Sequence, residues 1–100
     1  MIDSTLERLR STFESGRTRD AAWRRSQLDA LARLAAENEA EIAEAVAADL
    51  GKCAFEAYVS EGGFIAHEAR LAASKLRTWM KPRKVSTPMV AQPGTSHIVP

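Results

Sequence analysis

Val85-Ser86-Thr87-Pro88-Met89-Val90-Ala91-Gln92-Pro93-Gly94-Thr95-Ser96-His97-Ile98-Val99-Pro100 is the stretch that decides the fold. It carries no formal charge, holds three of the four prolines and has no helical period. Its β-branched residues predict extended chain at Met89 to Gln92 and at Thr95 to Val99, with Pro93-Gly94 as the turn between them. Strands need a sheet to join, and the rest of the chain reads as helix. The tail therefore predicts a strand without partners, at the edge of a larger structure.

Moving back from the tail, Pro82 stops a long helix expected from about Ala54 to Met80. Phe55, Tyr58, Val59, Phe64, Ile65, Leu71, Leu76 and Trp79 supply its apolar residues. Gly62-Gly63 lies in its middle, where each glycine costs roughly 0.8–1 kcal/mol against alanine. The pair marks a kink or a close approach of another backbone, and the reading adopted is a continuous helix.

Three shorter helices precede it. Leu6, Leu9 and Phe13 share one face of a helix starting after Asp3 or Ser4 and ending at Gly16. Asp20 caps a second, with Trp23, Leu28, Leu31, Leu34 and Ala35 as a broad apolar face. Asn38 and Glu41 have the spacing of a capping box for a third, which Gly51 ends. The expected organisation is mainly α: four helices over residues 1–84, then an extended tail or first strands over 85–100.

Length and charge bound what this chain can do. One hundred residues allow one small domain or a piece of a larger one. The net charge of +1 argues against a bulk nucleic-acid binder. Locally, residues 36–50 hold five acidic side chains and no basic one, whereas residues 70–84 hold six basic and no acidic. Arg70, Lys75, Arg77, Lys81, Arg83 and Lys84 do not form one helical stripe, so no nucleic-acid partner is expected. No apolar run approaches the ~20 residues that span a bilayer. Met1-Ile2-Asp3-Ser4 has neither the basic nor the apolar start of a secretory signal. The single cysteine fits a reducing compartment, so a soluble cytoplasmic protein is expected.

Chemistry is sparse. No Gly-rich phosphate loop is present. Glu37, Glu39, Glu41 and Glu44 lack a histidine companion and read as a solvated face. His67 and His97 are too far apart in sequence to be a helical metal pair. Cys53 follows a helix C-terminus, whose partial negative charge opposes a thiolate, and reads as semi-buried packing despite the adjacent Lys52. No residue of this chain is expected to be catalytic, cofactor-binding or metal-ligating.

A set of short strings adds to that reading. Ser15-Gly16-Arg17-Thr18-Arg19 is followed by Trp23 and Gln27-Leu28-Asp29-Ala30-Leu31. Then come Ala47-Ala48-Asp49-Leu50-Gly51-Lys52, Glu56-Ala57-Tyr58 with Glu61, and Leu76, Trp79 and Pro82. Ser86-Thr87-Pro88 and Ser96-His97-Ile98-Val99-Pro100 close the series. In this order and spacing the chain resembles the N-terminal segment of aldehyde dehydrogenases, nearest the class 3 branch for fatty or aromatic aldehydes.

The resemblance implies NAD(P)-dependent oxidation of an aldehyde to a carboxylic acid, in a homodimer at full length. It implies that a cysteine nucleophile, a glutamate that activates water and an oxyanion-binding asparagine lie downstream of the matched region. Cys53 does not match the nucleophile's motif. It follows that the isolated chain is inactive and binds no NAD or NADP. In some class 3 relatives an aromatic residue on the long helix lines the substrate entrance, and the resemblance implies a counterpart here. Phe64 is the nearest candidate, with core packing as its alternative reading, and Gly62-Gly63 departs from the bulkier residues usual there. A stand-alone helical module binding a protein partner is the alternative, motivated by the basic run and the tail.

Overall fold

The computed structural model describes residues 2–100; the first residue of the expected helical segment 1–84 lies outside them. Helix α1 spans Ile2–Glu14, so Asp3 and Ser4 lie inside its first turn rather than capping it. Asp3 still serves that end, because the N-terminal macrodipole favours a carboxylate there. After α1 the Ser15 hydroxyl donates to the Thr12 carbonyl at 2.6 Å, and Gly16 turns left-handed at φ 77°. Asp20 then caps α2 (Ala21–Glu37), its Oδ2 accepting from the Trp23 N–H at 2.9 Å. Arg24 Nε donates to the Thr18 carbonyl at 2.7 Å and ties the turn back onto α2.

The capping box at Asn38 and Glu41 does not form. Both the N–H and Nδ2 of Asn38 donate to the Leu34 carbonyl, at 3.2 and 2.8 Å. Asn38 therefore closes the C-terminal end of α2, and its side chain makes no cap to α3 (Glu39–Leu50). Gly51 ends α3 in the left-handed region at φ 67°, as expected.

The long helix is continuous in path but not in type. It begins as α4 (Ala54–Ala57), passes through a π-helical turn (Tyr58–Gly62) and continues as α5 (Gly63–Trp79). The π turn keeps one face in phase. Ala57 and Gly62 are both buried, although five residues apart in a regular α-helix are about 140° apart around the axis. The i→i+5 bond from the Gly63 N–H to the Tyr58 carbonyl absorbs the extra residue. The buried stripe then runs on through Ala66, Ala69 and Ala73.

That stripe packs antiparallel against α2, where Ala32 and Ala35 are the buried residues. With Ala57 these alanines are the whole buried apolar set among the described residues. Small side chains let the two helix axes approach closely, but each buries little area. The large apolar residues lie outside this seam. Leu31, Leu34, Phe55, Phe64, Ile65 and Trp79 are all exposed.

The tail corrects the expectation of an unpartnered strand. Strand β1 (Arg83–Val85) pairs antiparallel with β2 (Ser96–Ile98), in register Arg83 with Ile98, Lys84 with His97 and Val85 with Ser96. β1 starts at Arg83, before the break expected after residue 84. Met89 to Gln92 is not extended: Met89–Ala91 form a 3₁₀ turn, with the Gln92 N–H bonded to the Met89 carbonyl. The pair is a two-stranded ribbon, which is marginal alone in water, so a larger sheet is still wanted.

Candidate functional site

Phe64 opens the main part of the long helix, directly after the residue fixed by the π turn. It is 55% exposed. Phe64, Ile65, Ala72 and Trp79 of α5 line an open groove of about 370 Å³ with Leu28 and Leu31 of α2. This side of the α2–α5 layer is apolar. A second groove between the same helices is lined by Arg25, Ser26, Asp29 and Arg77 together with Ala21, Ala22, Ala73 and Leu76. Glu39, Tyr58 and Arg70 border a notch of about 100 Å³ beside Gly62 and Gly63.

Two features hold the start of this groove in place. The Tyr58 ring lies on Gly63, where a built Cβ would meet Cε2 and Cζ at 2.7 Å and the Tyr58 carbonyl oxygen at 2.8 Å. Gly63 therefore marks a close approach, but of the helix's own preceding turn. Lys52 Nζ reaches over the same turn, 3.1 Å from Glu61 Oε1 and 3.2 Å from Ser60 Oγ. Ser60 in turn donates to the Glu56 carbonyl at 2.8 Å.

Cys53 stands at the start of α4 and is exposed, not semi-buried. Its neighbour Lys52 is committed to Ser60 and Glu61. The acidic side chains of α3 stay apart, and the described residues contain no group of three or more His, Cys, Asp or Glu able to hold a metal ion. Among them, no helix is long and apolar enough to cross a membrane. Arg70, Lys75, Arg77, Lys81, Arg83 and Lys84 are exposed and divided between α5, the following turn and β1.

Gly62-Gly63 gives no seat for the pyrophosphate of a nicotinamide dinucleotide. Gly62-Gly63 is the only adjacent glycine pair in the sequence, and it lies inside a helix with the Gly63 N–H already bonded. It offers no free amide cradle of the kind that holds a pyrophosphate. The groove beside Phe64 is lined almost wholly by hydrocarbon.

Sequence reasoning placed Phe64 on the long helix and missed what surrounds it. The Lys52–Glu61 pair spans nine residues and crosses a helix start, so no local pattern announces it. The alanine seam did leave a signal, in the spacing of Ala66, Ala69 and Ala73 opposite Ala32 and Ala35. Larger apolar residues at similar spacings masked it.

No family model matches the chain. Individual relatives do. Bovine aldehyde dehydrogenase family 3 member B1 is 49% identical over 94 residues, covering 94% of this chain and 20% of its own length. An aldehyde dehydrogenase of Craterostigma plantagineum is 38% identical over 97 residues, covering 97% of this chain and 20% of its own length. Among solved structures, the substrate-bound state of Staphylococcus aureus AldH matches with a TM-score of 0.87 at 31% identity. That match covers 99% of this chain and 22% of the solved one. The chain spans about a fifth of the length of the curated relatives it matches. Over that fifth it belongs to the aldehyde dehydrogenase family, on the family 3 branch, and corresponds to the N-terminal portion of that fold.

Proposed function

We propose that this chain works as the N-terminal portion of a cytoplasmic enzyme that oxidises aldehydes to carboxylic acids with NAD(P)+. Taken alone, it is catalytically inactive. Residues 1–84 then form the helical start of the nucleotide-binding domain, and 85–100 lead into its β structure. Phe64 lines the substrate entrance, where its exposed ring and the apolar side chains beside it suit an aldehyde's hydrocarbon part. The complete enzyme is a homodimer.

One observation carries this reading. Nearly the whole chain aligns with family 3 aldehyde dehydrogenases, while many of its large apolar side chains, Leu31, Leu34, Phe55, Phe64 and Trp79 among them, lie exposed around an alanine seam. Exposed apolar surface of that extent marks an interaction face. The body of a larger enzyme would supply the missing cover and the missing chemistry.

The test compares two purified proteins. One is the 100-residue chain; the other extends it along the reading frame to the length of its relatives. With an aldehyde and NAD+ or NADP+, the extended protein should form NAD(P)H and the chain should not. NAD(P)H formation by the chain itself would overturn the proposed inactivity. An extended frame without aldehyde oxidation would overturn the function.

A further inference from the structure

Among lysines and arginines, Lys52 stands alone between Arg33 and Arg70. Gly51 closes α3 in the left-handed region, so Lys52 starts beside the negative end of that helix's macrodipole. From there its side chain crosses to the π turn. It donates to Ser60 Oγ at 3.2 Å and pairs with Glu61 Oε1 at 3.1 Å. The Lys52 side chain is only 25% exposed, against 61% for Arg25 in its pair with Asp29, so solvent screens this contact less.

The bridge reaches beyond its own atoms. The Ser60 hydroxyl donates onward to the Glu56 carbonyl at 2.8 Å, which ties the turn to α4. On the neighbouring residue, Ile42 Cγ2 of α3 lies 3.8 Å from where a Cβ would stand on Gly62. α3 and the residue after its cap thus hold the turn at Gly62 as well as at Ser60 and Glu61. Phe64 leaves this turn with only Gly63 between, and the Tyr58 ring fills the space that a Gly63 side chain would need. A π turn is a rare geometry, found mostly as single turns at functional sites. If this one loosens, the first residues of α5 are freed, Phe64 among them.

We propose that Lys52 is a positioning residue for the substrate entrance: its bridge to Ser60 and Glu61 holds the π turn and, through it, the Phe64 ring that receives an aldehyde's hydrocarbon chain. This rests on the reading of Phe64 as the entrance residue. An apolar contact to that chain is equally strong in the ground and transition states. Its loss therefore raises KM and leaves kcat unchanged.

The test uses the extended protein with decanal and with acetaldehyde, whose short chain gives Phe64 little to hold. F64A should raise the KM for decanal and not for acetaldehyde. K52M keeps the side chain's length and removes its ammonium. It should raise the decanal KM about 2- to 10-fold, with kcat and the acetaldehyde KM unchanged. K52R, which keeps charge and reach, should stay close to the parent. S60A keeps the ion pair and should give a smaller rise, a readout that survives if K52M fails to fold. In an F64A background K52M should add nothing. A K52M enzyme that loses kcat for both aldehydes alike would reduce Lys52 to a structural part and overturn the proposal. A decanal KM indifferent to K52M and S60A while F64A raises it, or a K52M effect that persists in F64A, would do so equally. A flat F64A would instead remove the entrance reading, and this inference with it.

Discussion

At Gly63 a methyl group would have to displace the Tyr58 ring and the Tyr58 carbonyl, both less than 3 Å away. At Gly62 the same methyl would lie 3.8 Å from Ile42 Cγ2, an ordinary contact. The neighbours should therefore respond in opposite ways. G63A is expected to destabilise by about 1–3 kcal/mol, because the overlap includes backbone. G62A should be neutral or stabilising by up to about 1 kcal/mol, from helix propensity. Thermal melts followed by helical circular dichroism will order the two; equal effects would remove the close-approach argument. The caps give a second comparison. D20A should cost about 1 kcal/mol, since it strips the Trp23 N–H of its acceptor. N38A should cost less, because the Leu34 carbonyl keeps the backbone N–H of residue 38. Asp20 was legible in the sequence because its acceptor role is fixed three residues ahead. Asn38 was not, because the same side chain can close the helix before it or open the helix after it, and the geometry of Leu34 decided.

Among the elements, the π turn shows what a helical period conceals. The buried residues step from Ala57 to Gly62 to Ala66, so one residue is surplus to a regular α-helix. Deleting Val59, which is exposed, should let the turn close as α-helix and still leave Ala57 and Gly62 on one face. The expected outcome is unchanged helical content and a melting point close to that of the parent chain. Inserting an alanine after Val59 should rotate α4 away from the seam and lower the melting point. Unfolding of the deletion variant would show that the π geometry itself is required. The apolar periodicity made the long helix legible, but a five-residue step is invisible unless burial is known. The hairpin failed to show for a related reason. Arg83-Lys84-Val85 directly follows Pro82 and reads as the end of a basic run, so only the Ser96–Ile98 side carried a strand signal. Phe64 was locatable by its position on the helix, whereas Leu28 and Leu31 joined its groove only through packing across the α2–α5 seam.

The molecule as a whole measures 60 × 34 × 25 Å, with a radius of gyration of 19.7 Å. A compact domain of this length has a radius near ~13 Å. The difference is physical and follows from the sequence of packing choices. Alanine against alanine forms a thin seam, α1 buries none of its residues, and the hairpin is only two strands wide. Such a chain has local helical order without a deep core to make unfolding all-or-none. The isolated chain should therefore show strong helical circular dichroism and bind an apolar-surface dye. It should also melt over a broad temperature range. A sharp cooperative melt without dye binding would favour a self-sufficient helical module. In the longer polypeptide, the same residues should lose dye binding and gain amide protection along α2 and α5, because the apolar groove beside Phe64 would be covered except at the entrance. Hydrogen exchange compared between the two lengths reads this residue by residue. Protection that rises along α2 and α5 while a thiol at F64C stays open to labelling is the pattern expected of a substrate entrance. Loss of F64C labelling in the longer polypeptide would place that position in the interior and remove it from the substrate's path.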